Sequence, residues 1–447
     1  MDVLGQLNQS IGLASRLVRT GVLAPLRPDK YVRVVDAFQR ESSVLAAGFA
    51  AARQRCPDRA GLIDERGILT WRQIDRRADA FAAALQQSPG GAPELIALLA
   101  RNHRYVVDTL LAAHRAGSEV LLLSPDLDAA TVRRLLDAEG EGKTTVVVHD
   151  DEFTGVLDAA LAGLPPTERI AAWTDATGAQ RSVDGMIDAC DGRTPRRTLH
   201  TTRVVLLTCD SPPRGVAHTG GRLRTVVDLL GRIPWRAEEP VVVATPMWSS
   251  WGYQQLMLSA FTAATVVTSR VSAAQDALDL VDKYRATGLC VDAALLGAIA
   301  ALPEEIVGQR GRRSLRFVTA AGAGIGSEVL TAVRDIVGDI VHTCYHTPEF
   351  GTLATASPRD LRAAPGTAGR PTDGTALRIL DGDLRATGPG EVGRIYVRAP
   401  ASSTGYTSGR RRDAHDGYLP TGDSGFLDAD GRLFVVGRDD GNRGPDA

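Results

Sequence analysis

Lysine is nearly missing from this chain: Lys30, Lys143 and Lys283 stand against 48 arginines in 447 residues. Arginine stays protonated and makes a poor general base or amine nucleophile, so chemistry that needs a lysine has three positions to choose from. Cysteine is scarce too. Cys56, Cys190, Cys209, Cys290 and Cys344 lie scattered, with neither metal-ligand spacing nor a disulfide framework, and a reducing cytoplasm is the expected location. No apolar run approaches the ~18 residues of a bilayer crossing, and the N-terminus lacks a secretory signal pattern, so no transmembrane segment is expected. Neither charge is in excess. The 53 acidic residues balance the 51 basic ones, which argues against nucleic acid or an anionic membrane as partner. There is also no Gly-x-Ser-x-Gly elbow and no His-Glu-x-x-His pair.

What is present is an ordinary apolar fraction, 44%, in a chain long enough for a large α/β body made of subdomains. Apolar spacing from Tyr31 to Ala52 predicts an amphipathic helix, either packed on its own domain or lying on a membrane surface. Residues 60–71 read as two short strands around an Arg66-Gly67 turn. Helices are predicted over 72–87, 105–116 and 126–139, and strands over 94–99, 119–123 and 144–148. A polar connection, Asp191 to Thr202, leads to a second series of strands at 204–207, 240–244, 265–268, 288–291, 315–320 and 340–344. Strands alternating with helices indicate largely parallel sheets covered on both faces. From Gly366 short strands and tight turns take over. The expected fold class is therefore α/β, with two α/β subdomains (1–200 and 201–365), a small β-rich subdomain (366–440) and a polar tail (441–447).

Three ordered segments carry the chemistry. They are Thr208-Cys209-Asp210-Ser211-Pro212-Pro213-Arg214-Gly215, Tyr345-His346-Thr347-Pro348-Glu349, and Tyr418-Leu419-Pro420-Thr421-Gly422-Asp423. Weaker matches at Leu69–Arg72, Arg101–His103, Ala321–Ala323, Gly366–Pro371, Gly390–Arg398 and Asp428–Arg432 keep the same order along nearly the whole chain. Together they resemble the adenylate-forming enzymes, the superfamily of acyl-CoA synthetases and AMP-binding ligases, and the N-terminal segments look most like actinobacterial fatty acyl-CoA synthetases. The resemblance implies the N-terminal body of that fold, ATP or AMP with magnesium as possible cofactors, and an acyl or aryl acid, or its CoA or carrier-protein thioester, as ligand.

Carried over residue by residue, the resemblance assigns Thr208 and Arg214 to the triphosphate, Gly322 to the adenine side and Tyr345 to the nucleotide. Glu349 would hold magnesium, and Asp423 and Arg438 the ribose. Trp248, Ser249 and Trp251 would line the acyl pocket. The first motif departs from the family pattern Thr-Ser-Gly-Thr-Thr-Gly-x-Pro-Lys-Gly. It is two residues shorter, has lost its internal glycines, and has Arg214 for the lysine. A phosphate loop works by aiming backbone N–H groups at one anion, and Pro212 and Pro213 have none to aim. Asp210 adds a repulsion of about 4 kcal/mol at roughly 4 Å for an effective dielectric near 20. The same stretch also reads, and more readily, as a plain strand–turn–strand connection with a Pro-Pro turn. In the second motif His346 replaces a glycine and Pro348 a hydroxyl donor, while Glu349 reads either as a metal ligand or as a solvated strand-end acid.

The family continues past a hinge, here most like Asp440, into a small domain of roughly a hundred residues, an ordinary domain size. That domain carries a Gly-rich loop, the CoA entrance and a charge-stabilising lysine, and no counterpart is expected in this chain. The expectation is a ligase-fold protein that does not adenylate alone but binds an acyl or adenosine-containing ligand or a protein partner. Two alternatives stay open: a divergent ligase completed in trans, and an ATP-independent enzyme of acyl or aryl thioesters. The latter would use His346 or Cys209, with His218 and Cys344 as further base and nucleophile candidates.

Overall fold

A computed structural model describes residues 15–22, 41, 43–164, 167–175, 181–196, 202–208, 212–219, 223–271, 273–303, 314–322, 325–399, 406–407 and 413–438. Cys209, Asp210 and the hinge-like Asp440 lie outside them. Among the described residues three sheets organise the chain. The largest has nine strands in the order Arg370–Pro371, Gly351–Ala356, Val341–Thr347, Phe317–Ala321, Gly288–Asp292, Val241–Val243, Val266–Val267, Ala60–Asp64 and Gly67–Thr70. Its middle is parallel and both its edges are antiparallel.

The second sheet runs Glu168–Ala171, Thr145–His149, Leu95–Leu99, Glu119–Leu123, Arg203–Leu207 and Gly215–Thr219. It is parallel except for its last pair. Leu95–Leu99 is buried along its whole length, as a parallel strand covered on both faces requires. The third sheet is antiparallel: Ala376–Leu380, Gly393–Arg398, Leu419–Leu427 and Leu433–Arg438.

Sheet membership crosses residue 200. The hairpin at 60–70 completes the nine-stranded sheet, and the strands at 203–207 and 215–219 complete the six-stranded one. Side chains reinforce the exchange. Arg104, at the start of helix Arg104–Ala116, makes a buried bidentate pair with Asp64 on the first strand of the chain. Asn102 donates from Nδ2 to Thr245 O (2.9 Å) and accepts the Met247 N–H (2.7 Å). That buried amide thus holds the turn leading into helix Ser250–Phe261 from the opposite α/β unit.

Where the predicted amphipathic helix is described, it packs on its own domain and not on a membrane. Helix Val44–Arg55 buries Leu45–Phe49, Ala51 and Ala52, and residues 31–40 lie outside the described set. Gly48 allows the close approach, since a Cβ there would sit 3.0 Å from Phe261 N. The helix is core packing, and its described part offers no apolar face to a membrane. Among the described residues no helix is long and apolar enough to cross one.

Candidate functional site

The second motif lies on the hairpin formed by Val341–Thr347 and Gly351–Ala356, with Pro348–Phe350 as its turn. A register shift between Tyr345 and His346 interrupts the regular alternation of side chains. Tyr345 Oη donates to Asp423 Oδ2 (2.5 Å), and burial together with the nearby carboxylate pushes the phenol well above its usual range, so it stays a donor. His346 reaches the start of helix Ser250–Phe261. Its Nε2 lies 2.9 Å from Ser250 Oγ and its Nδ1 3.1 Å from Thr352 Oγ1. Thr352 in turn bonds the buried Gln254, and the edge of Trp251 packs on the imidazole with ring centres 5.4 Å apart. Burial, with the adjacent His218 adding a smaller repulsion, pushes the His346 pKa down to about 3. The ring is neutral at physiological pH.

The phosphate-loop motif closes on itself. Leu207 and Gly215 are register partners in the antiparallel pair, Thr208 N–H donates to Arg214 O (2.9 Å), and Arg214 N–H donates to Thr208 Oγ1 (3.0 Å). Tyr406 and Thr407 cross this hairpin: Thr407 N–H donates to Gly215 O, and the Arg214 guanidinium stands 5.4 Å from the Tyr406 ring centre. Tyr406 Oη also donates to Glu349 Oε1 at 3.4 Å. Glu349 is buried, which corrects its reading as a solvated acid. His218 donates to Pro348 O (2.6 Å), so the carbonyl of the residue that replaced a threonine is itself engaged.

The structure brings together Asp423 and Arg438, the two residues that the resemblance assigns to a ribose. Asp423 and Arg438 are register partners on neighbouring strands, and Arg438 donates to Asp423 Oδ1 (3.1 Å). A carboxylate has about four acceptor positions. Tyr345 and Arg438 use one each, leaving capacity for a vicinal diol. Gly322 ends strand Phe317–Ala321 with φ +128°, where a Cβ would lie 2.9 Å from that of Ala293, so the glycine is sterically required.

Of the acyl-pocket trio, Trp248 is partly buried against the core. Ser249 caps helix Ser250–Phe261, accepting the Gly252 N–H (3.0 Å) and donating to Pro246 O (2.7 Å). Trp251 is anchored through Nε1 to Val291 O (2.8 Å) and borders the site through His346. Cys344 drops out as a nucleophile because burial pushes its thiol up to about 11, beyond useful ionisation. Glu349 alone does not make a magnesium site, and no cluster of three or more His, Cys, Asp or Glu able to hold a metal occurs among the described residues.

Four residues of this arrangement, Ser250, Gln254, Thr352 and Tyr406, escape motif reading. One signal existed: Ser250 and Gln254 are spaced i, i+4, which puts two polar groups on one face of a largely apolar helix.

Comparison with known proteins places the geometry in context. The family model of the AMP-binding enzymes matches residues 49–407. A fatty acid–[acyl-carrier-protein] ligase, ScoC of Streptomyces coeruleorubidus, is 25% identical over 417 residues, covering 90% of this chain and 78% of that protein. Among solved structures, the luciferase-like enzyme of the nonluminescent mealworm Zophobas morio superposes with TM-score 0.76 at 20% identity, over 89% of this chain and 96% of its own. A benzoate CoA ligase from Burkholderia xenovorans LB400 gives TM-score 0.76 at 18% identity, covering 89% and 80%.

Proposed function

This chain belongs to the AMP-binding enzyme family, and from that premise we propose that it binds an acyl or aryl group, as the acid or its CoA or carrier-protein thioester, beside a retained adenosine-binding face, without forming an acyl adenylate by itself. The observation that carries this reading is the self-closed hairpin at Thr208–Arg214. Its ends are tied to each other, two of its residues are prolines, and Arg214 stacks on Tyr406. Stabilising a transferring phosphoryl group is chiefly electrostatic work by preorganised donors. Pro212 and Pro213 have no N–H to offer, and the sequence adds a like charge at Asp210, a composition that does that work poorly. The Tyr345–Asp423–Arg438 trio supports retention of the ribose side. Ligand classes follow the similar proteins, whose names specify fatty, succinylbenzoic and benzoic acids. Four described cysteines are buried free thiols, in keeping with a cytoplasmic location.

Acid-dependent ATP–pyrophosphate exchange tests the reading. The chain alone, offered a panel of fatty and aromatic acids, is expected to exchange none, and a positive signal refutes the proposal. A non-hydrolysable acyl-AMP analogue is expected to raise the melting temperature. A second reading, a ligase completed by a protein partner, is favoured by the same intact ribose trio; it requires exchange to appear when the partner is supplied.

A further inference from the structure

We propose that Ser250 and His346 form a nucleophile–base couple that hydrolyses an acyl or aryl thioester without ATP. The inference rests on the acyl-binding reading above and adds a reaction to it. A nucleophilic hydroxyl needs a base within hydrogen-bond reach and a third group that orients the base. Ser250 Oγ and His346 Nε2 are 2.9 Å apart, and Thr352 Oγ1 stands 3.1 Å from the other ring nitrogen. The Gln254 amide meets Thr352 Oγ1 twice, with Nε2 donating at 2.8 Å and Oε1 accepting at 3.1 Å. When Thr352 donates to Gln254 and accepts from His346 Nδ1–H, the Nε2 lone pair faces the Ser250 hydroxyl. The serine proton is then the transferable one.

Ser250 opens its helix. Ser249 takes the Gly252 N–H with its side chain and the Tyr253 N–H with its carbonyl, so the amides of Ser250 and Trp251 are the remaining first-turn donors without an intrahelical acceptor. Unpaired amides at a helix start are the kind of donor that stabilises the oxyanion of a tetrahedral intermediate. The segment is also the one that resembles an acyl-pocket motif, so a thioester carbonyl has a reason to be there.

The reaction runs in two halves. Ser250 Oγ bonds to the thioester carbonyl carbon while its proton passes to His346 Nε2; the C–S bond then breaks and the departing thiolate takes that proton, leaving an acyl-Ser250 ester and a free thiol. A water molecule next gives a proton to Nε2 and attacks the ester; the C–Oγ bond breaks and Ser250 Oγ recovers the proton. Net, one thioester and one water give one acid and one thiol. Thr352 is a positioning residue; a hydroxyl rather than a carboxylate stands behind the imidazole, and burial holds the ring well below its usual pKa, so His346 is a weak base and turnover is slow beside that of a carboxylate-backed triad.

Hexanoyl-CoA and benzoyl-CoA are the probes, with released thiol read colorimetrically in the absence of ATP. The wild type is expected to release thiol above the buffer rate. Ser250→Ala and His346→Gln are each expected to lower it by ~100-fold or more, the usual weight of general-base catalysis. Thr352→Val is expected to lower it by ~10-fold, with Thr352→Ser restoring it. Mass spectrometry of the wild-type peptide between Arg236 and Arg270 is expected to show the acyl adduct on Ser250, a measurement that does not depend on any variant folding. Thiol release unchanged in Ser250→Ala, or an adduct elsewhere, overturns the proposal. Binding of the thioesters without release or adduct overturns the hydrolase and leaves the acyl-binding reading standing; absence of both binding and release overturns both.

Discussion

Acid should find His346 before it finds the carboxylates. In an unfolded chain the imidazole titrates near 6.5, while in the fold burial, reinforced by His218, pushes it down to about 3. Between those values the ring is neutral when folded and protonated when unfolded, so unfolding takes up a proton. The stability this residue contributes is complete above its unfolded pKa and drains away as pH falls toward the folded one. From pH ~7.5 to ~5.0 the loss is about 2 kcal/mol, at roughly 1.4 kcal/mol for each pH unit below the unfolded pKa. His342, pushed down to about 4 by burial, adds a comparable loss. Asp108 and Asp228, raised chiefly by burial, act in the opposite sense, so the decisive quantity is a difference between variants. Urea unfolding of wild type and His346→Gln at the two pH values measures it. The wild type should lose about 2 kcal/mol more than the variant over that interval. Parallel losses would refute the burial argument, as would an imidazole resonance, absent from the variant, that titrates near its ordinary value.

Other expectations follow from single contacts. A Cβ at position 252 would stand 1.9 Å from Pro246 O, so Gly252→Ala must displace the start of helix Ser250–Phe261 and cost about 3 kcal/mol in urea unfolding. Asp64→Ala strands the buried Arg104 guanidinium and should cost about 3–5 kcal/mol by the same measurement. If the ribose side is retained, Asp423→Ala weakens binding of an AMP analogue by ~10–100-fold in calorimetry, whereas Tyr345→Phe changes it by less than ~3-fold because it frees an acceptor. Cys344 and Cys290, whose thiols burial raises, should resist iodoacetamide at pH ~8 in the native protein and react once urea is added, read by mass spectrometry.

Strand positions were legible because an apolar run covered on both faces needs no partner information to announce itself. Partner choice was not. Val204–Leu207 reads as the opening of a second half, yet its neighbour is Glu119–Leu123, since continuous apolar strands carry no alternation by which a register could be told. Tyr418–Asp423 contains a proline and a glycine, both disfavoured in strands, yet most of it lies inside the nine-residue strand Leu419–Leu427, where the sheet overrode local propensity. The Tyr345–Asp423–Arg438 contact was within reach of the sequence because all three residues fall in or beside quoted motifs. The Ser250–His346 contact spans 96 residues of sequence and depends on a register shift in one strand and a cap on one helix, neither of which composition reveals.

The Asn102 amide has a consequence for how the protein comes apart. Since the Met247 N–H is held by a side chain from the other α/β unit, its protection from hydrogen exchange is set by the weaker of the two units, not by its own helix. Partial opening of the six-stranded unit would therefore release the Pro246–Ser250 turn while the nine-stranded sheet is still intact. Loss of the serine–histidine contact would then come before melting, and the site would serve as an early gauge of wear in a part of the molecule that contributes no reacting group to it.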